Sequence, residues 1–221
     1  MRIWVLPIIL GLMVACGCGQ QGSGDATPEP EAAPASASEE TAGGESASTG
    51  LKGKKVVMIV AHRDFRDEEL LKPREILEKA GAKVSVASSS VRPAKGMLGA
   101  TVEADLLVKD VNPADYDAIV LVGGPGATEY WKDEKTHKIA RRAAEEGKIL
   151  AAICIAPVTL ANAGVLKDKK ATVWKSEAPQ LRAMGAIYTG RDVETDGRII
   201  TADGPKSAEK FGRAIFSALS R

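Results

Sequence analysis

Lys148-Ile149-Leu150-Ala151-Ala152-Ile153-Cys154-Ile155-Ala156-Pro157 decides the fold. Its apolar run is short and does not alternate, which reads as a strand buried on both faces. The strand runs directly into a cysteine. Pro157 suits the first turn of a following helix, where its missing N–H is not needed. Ala152 and Ala156, two residues either side of Cys154, leave room for a sharp turn that projects the side chain. That is the physical logic of a nucleophile elbow. A helix behind the turn would direct N–H groups and its positive end at the sulfur, favouring thiolate. Taken alone, a cysteine at a strand end is more commonly a small buried hydrophobe.

Working outward, the same kind of strand recurs at Lys55 to Ala61, Lys83 to Ala87 and Asp117 to Val122. Helical periodicity separates these runs. Asp67 to Ala80 places Leu70, Leu71, Ile76, Leu77 and Ala80 on its apolar positions, tolerates Pro73 in its first turns and stops at Gly81. Lys132 to Glu146, Ala156 to Ala163 and residues 175–183 read as further helices. Ser207 to Leu219 closes the chain with Ala208, Phe211, Ile215 and Leu219 on one face. Residues 96–108 read as a small hairpin around Gly99. Asp196-Gly197 is a hairpin turn between residues 191–194 and 198–201. Alternating strands and helices predict an α/β fold: a mainly parallel sheet with helices on both faces. Functional groups then belong at the carboxyl ends of the strands.

Composition sets the outer limits. The chain has 221 residues, 30 basic and 29 acidic, and three cysteines. This excludes a disulfide-rich scaffold and argues against a strongly basic nucleic-acid binder. The average hides a change near residue 50. Before it stand one basic residue, Arg2, and six acids; after it, 29 basic and 23 acidic residues. Even there, no Lys/Arg cluster interleaved with aromatics marks a nucleic-acid surface.

Residues 1–16 read as a signal peptide with a lipobox. A minimal positive start precedes the apolar run Ile3 to Ala15, too short to span a bilayer. The run ends Met13-Val14-Ala15-Cys16, which resembles a bacterial lipobox with Cys16 as the lipidated residue. The protein is therefore expected to be exported and held on the extracytoplasmic side of a membrane by its N-terminal lipid. Residues 17–50 contain no large apolar residue and read as a disordered acidic tether. About 34 such residues reach roughly 30 Å on average. Residues 51–221 form the folded domain.

Gly123-Gly124-Pro125-Gly126 follows the strand expected beside the elbow. Glycines there let backbone N–H groups approach a ligand, and Gly124 with Ile155 would make an oxyanion hole. The turn lacks the Lys-Ser/Thr of a phosphate loop and dinucleotide spacing, so no nucleotide site is expected.

Four motifs together resemble the ThiJ/PfpI superfamily, also written DJ-one/PfpI, over about residues 54–219. They are Phe65-Arg-Asp-Glu-Glu69-Leu-Leu-Lys-Pro73, Val122-Gly-Gly-Pro-Gly-Ala127, Ala151-Ala-Ile-Cys-Ile-Ala-Pro157 with Leu160-Ala-Asn-Ala-Gly-Val-Leu166, and Ile200-Thr-Ala-Asp-Gly-Pro205. The resemblance implies a flavodoxin-like three-layer sandwich, usually assembled as a homo-oligomer. It implies Cys154 as nucleophile and Glu69 as the acid that hydrogen-bonds its sulfur. Burial beside that sulfur would keep Glu69 protonated as a donor. Without the resemblance, Glu69 is one acid in a helix's first turn.

The chain departs from the family where a histidine would stand. Ile155 follows the cysteine where PfpI-type proteases have His. The downstream stretch Ala171-Thr-Val-Trp174-Lys175 holds none either. A glutamine-amidotransferase triad is thereby set aside, and PfpI-type proteolysis ranks behind other chemistries. His62, after the first strand, is the one candidate base; His137, on a charged helix, reads as solvated. Trp131, Trp174 and Tyr130 fit either a pocket lining or core and interface positions.

Two functions follow. One is a cysteine-dependent glyoxalase-, deglycase- or hydrolase-like enzyme acting on a small carbonyl or acyl substrate through Cys154 and Glu69. The other is a non-enzymatic redox-sensing or stress-response protein using the same pair. No cofactor is expected. A metal held by His62, Glu69 and Cys154 lacks a spacing motif and is not expected.

Overall fold

A computed structural model describes residues 50–221. The expected signal peptide, Cys16 lipidation site and tether, up to residue 49, lie outside the described residues. The fold is a three-layer α/β sandwich with a seven-stranded sheet. Its strands are β1 (Lys55–Val60), β2 (Lys83–Ser88), β3 (Leu106–Leu107), β4 (Ala118–Leu121), β5 (Ile149–Ile153), β6 (Val193–Asp196) and β7 (Ile199–Ala202). Their spatial order is β6-β7-β5-β4-β1-β2-β3. Every pairing is parallel except β6 with β7. That pair is the expected hairpin, and Gly197 takes the positive φ of 62° its tight turn requires.

The non-alternating apolar runs are explained by two-sided burial. In β1, Val56, Met58 and Val60 face one core while Val57 and Ile59 face the other. β5 divides the same way: Ile149, Ala151 and Ile153 against Leu150 and Ala152. The first core is closed by α1 (Asp67–Lys79) and α5 (Ala208–Leu219), the second by α2 (Glu134–Glu145), α3 (Pro157–Asn162) and α4 (Ala178–Ala183). Ala208, Phe211, Ile215 and Leu219 are all buried, as their spacing predicts. In α1 the stripe is narrower: Leu70, Pro73 and Leu77 are buried, but Leu71 is exposed. Gly212 of α5 lets the two helices touch; a methyl there would lie 2.9 Å from Pro73 Cα.

Three features depart from the sequence reading. The hairpin around Gly99 is Ala94–Gly96 against Thr101–Val102, and Arg63–Phe65 adds a parallel third strand. Leu106–Leu107 instead joins the main sheet. A six-residue 3-10 helix, Pro125–Tyr130, follows the glycine turn. Among the described residues no helix is long and apolar enough to cross a membrane.

Candidate active site

β5 delivers Cys154 to the carboxyl edge of the sheet, where the backbone reverses. Cys154 has φ of 63°, one of three non-glycine residues with positive φ among those described. Such a conformation costs on the order of 1 kcal/mol and persists only where the surroundings fix it. Here the Cys154 N–H donates to Ala202 O at 2.9 Å, and its carbonyl accepts from the Trp174 N–H at 2.8 Å. Pro157 opens α3 as expected, but α3 has only six residues. Its dipole is correspondingly weak, so it aids the sulfur less than the sequence suggests.

α1 delivers Glu69 to the same place. Its side chain is fully buried. Oε2 accepts the Gly123 N–H at 3.1 Å. Oε1 makes no conventional hydrogen bond, and the Cys154 thiol is the side chain that bears on the carboxyl. A methyl on Gly123 would sit 2.5 Å from Glu69 Oε2 and 2.6 Å from Cys154 Cβ. Gly123 is therefore the gap across which acid and thiol meet.

Burial pushes the Glu69 carboxyl up to about 8, against the pull of the thiol, the Gly123 N–H and the Arg66 charge. At neutral pH Glu69 is thus mainly a neutral hydrogen-bond donor. Burial also pushes the Cys154 thiol up to about 12, the Glu69 carboxylate adds to this, and the N–H groups of Gly124 and Ile155 oppose it. The expectation that the elbow lowers the thiol pKa is corrected here: desolvation of the charged sulfur outweighs the local N–H donors. Protonating Glu69 removes the carboxylate's share of that rise.

Gly124 and Ile155 do flank the sulfur. Neither N–H donates to a backbone carbonyl among the described residues, and both bear on Cys154. Gly124 must be glycine. Its φ is 100°, and a methyl there would lie 2.4 Å from Arg66 N and 2.6 Å from Asp64 O.

The two histidines differ in their surroundings. The His62 backbone N–H donates to Glu129 Oε1 at 3.2 Å, and its ring Nδ1 is buried without a hydrogen-bond partner. No hydrogen bond or ion pair among the described residues joins His62 to Cys154. Glu129 lines a cavity of about 240 Å³ with Ser88, Ser89 and Tyr130. That cavity does not contain Cys154 or Glu69, and the chemistry favours the thiol cleft over it. His137 is buried, not solvated: Nε2 lies 3.0 Å from Trp131 O and Nδ1 3.4 Å from Glu134. The charged residues of α2 point outward and leave His137 on the inner face. Among the described residues no three His, Cys, Asp or Glu side chains are grouped to hold a metal ion.

The tryptophans brace the elbow. Trp131 Nε1 donates to Ile155 O at 3.2 Å. Trp174, whose N–H binds the Cys154 carbonyl, is half-exposed, with its ring against Gly204. Tyr130 is buried, its hydroxyl on Val60 O at 2.8 Å, and is a core residue.

Arg66 is a charged neighbour of the site that the sequence reading did not single out. It immediately precedes α1, and its charge acts on both Glu69 and Cys154. Its place beside Glu69 in the first motif was the available signal.

Comparison with known proteins agrees with this fold. The model of the DJ-1/PfpI family matches residues 54–218. An uncharacterized protein of Methanocaldococcus jannaschii is 42% identical over 174 residues, covering 77% of this chain and 85% of its own. The deglycase PfpI of Pyrococcus furiosus is 34% identical, covering 67% and 90%. A glutathione-independent glyoxalase of Caenorhabditis elegans is 26% identical, covering 75% and 89%. The crystal structure of a ThiJ/PfpI domain protein from Brachyspira murdochii superposes with a TM-score of 0.74 at 32% identity, covering 76% of this chain and 97% of its own.

Proposed function

The chain belongs to the DJ-1/PfpI family, and on that premise we propose that it is a Cys154-dependent enzyme of glyoxalase, deglycase or hydrolase type acting on small carbonyl or acyl compounds. One observation carries the reading. A strained cysteine meets a buried carboxyl held near pH 8, with two N–H groups free beside the sulfur. A thiol, a proton carrier of nearly neutral pKa and an oxyanion hole are what carbonyl addition needs. Relatives named deglycase and glyoxalase lend support.

With a 2-oxoaldehyde, sulfur bonds to the aldehyde carbon and the thiol proton passes to its oxygen through Glu69. Gly124 and Ile155 hold that oxygen. Glu69 then gives its proton to the ketone oxygen and takes the proton of the aldehyde carbon, forming an enediol; it returns that proton to the neighbouring carbon and takes the hydroxyl proton left on the first, giving the thioester of a 2-hydroxy acid. Water cleaves the thioester and returns the thiol; the net change is addition of one water. The test is conversion of methylglyoxal to lactate, and hydrolysis of small esters, by the full chain beside Cys154→Ala. Turnover no greater than the variant's sinks the proposal.

The absence of a histidine bonded to Cys154 favours a second reading, a redox-sensing protein. Mass spectrometry after stoichiometric peroxide decides it: an unmodified Cys154 counts against sensing. Either reading is compatible with export, a lipid on Cys16 and assembly with further copies of the chain. Fatty-acid labelling lost in Cys16→Ser would support the anchor.

A further inference from the structure

The backbone of Arg66 packs against the glycine turn beside Cys154 and Glu69. Its N–H donates to Gly123 O at 2.9 Å, and its carbonyl accepts from the Glu69 N–H at 3.1 Å. Its backbone is also the closest neighbour of Gly124. The guanidinium is partly open to solvent, with 27% of the side chain accessible. Glu68 fixes its plane through two contacts, Nε to Oε2 at 2.7 Å and Nη2 to Oε1 at 3.0 Å. On the other side, Nη1 has only the Met97 thioether at 3.8 Å, a weak acceptor. A guanidinium has five N–H donors in a rigid plane, and one edge of this one faces no strong acceptor. The other acids nearby do not compete for it. The Asp67 carboxylate is committed to the N–H groups of Leu98 and Ala100 at 2.9 and 2.7 Å.

Resting on the reading of Cys154 as a nucleophile toward carbonyl compounds, we propose that Arg66 is a specificity-determining residue that selects substrates carrying a carboxylate near the reactive carbonyl. The substrate class is an anionic 2-oxoaldehyde such as 4,5-dioxopentanoate, in preference to neutral methylglyoxal. Glu68 cancels the charge of Arg66 at a distance, so recognition is short-range: the open edge of a pre-oriented fork takes two carboxylate oxygens.

Two alkylating reagents that differ only in charge test this without turnover. The full chain is treated with iodoacetate or iodoacetamide, and modification of the Cys154 peptide is timed by mass spectrometry. Arg66→Met is expected to lower the ratio of the two rates about tenfold, the scale of one charge-assisted contact. Arg66→Lys, which keeps the charge but not the fork, recovers part of it. Any change in thiol pKa or local packing moves both rates together and leaves the ratio alone. A reactive Cys154 whose ratio is the same in Arg66→Met overturns the assignment of Arg66. A Cys154 inert to both reagents overturns the nucleophile reading and this proposal with it.

Discussion

Two adjacent strands end in turns that look alike in sequence and differ in what they tolerate. β4 ends in Gly123-Gly124-Pro125-Gly126 and β5 in Cys154-Ile155-Ala156-Pro157. Each contains a residue of positive φ, 100° at Gly124 and 63° at Cys154, and each hands over to a proline that starts a helical turn. At Gly124 a side chain has no space, because the backbone of Asp64 to Arg66 lies against it. Cys154 keeps its side chain because its φ of 63° lies in the left-handed region, which side chains enter at modest cost, whereas Gly124 at φ 100° and ψ 162° lies where only glycine is at ease. One turn supplies backbone donors and excludes side chains; the other accepts strain in order to hold one out. The lesson is that positive φ alone does not call for glycine. Which positive-φ region the residue occupies and the space around Cβ decide together.

The largest expected effect is on turnover. Cys154→Ala should reduce any carbonyl or ester activity by about 1,000-fold or more, since it removes the atom that bonds to substrate. Gly124→Ala comes next and should destabilise the domain by about 3 kcal/mol or more, measured by chemical unfolding, because strain and overlap with backbone act together. A loss under about 1 kcal/mol would mean the two turns are not different in kind.

Glu69→Gln sharpens the link between the turns. A carboxyl whose pKa rises from 4.5 to about 8 on folding binds its proton more tightly in the folded state. Stability should therefore fall as pH rises from about 4.5 to 8 and level off above, by an amount on the order of 5 kcal/mol. Thermal melts across this range should show that slope in the natural chain and lose it in the variant. The same variant should be alkylated at Cys154 faster than the natural chain above pH 8, because the carboxylate that opposes thiolate is gone. Slower alkylation there would instead make Glu69 the base that takes the thiol proton.

The smallest effect compares two changes at one site. Cys154→Gly should be more stable than Cys154→Ala by about 1 kcal/mol, the ordinary preference of glycine for positive φ. Equal stabilities would remove strain from the description of the elbow.

Much of this was legible in the chain itself. Six of the seven sheet strands coincide with apolar runs or the Asp196-Gly197 hairpin signal, and two-sided burial leaves an unbroken hydrophobic record in β1, β4 and β5. Cys154, Glu69 and the N–H groups of Gly124 and Ile155 do come together at the strand ends. What the sequence concealed depends on contacts distant along the chain. His137 sits among Lys, Arg and Glu, and only the packing of α2 reveals that it is the buried one. Arg66 shares the first motif with Glu69, but only the fold shows that the Gly123-Gly124 turn, over fifty residues later, packs against it. The height of the thiol pKa was misjudged for a similar reason, since local N–H donors are visible in sequence and desolvation is not.

Asp67 joins segments thirty residues apart. Its carboxylate holds the N–H groups of Leu98 and Ala100, and a methyl on Gly96 would lie 2.5 Å from it. In hydrogen–deuterium exchange those two hairpin amides should keep time with the first turn of α1 rather than with neighbouring loop amides. Exchange at Leu98 and Ala100 thus becomes a clock for opening of the segment that carries Arg66 and Glu69, readable without a substrate.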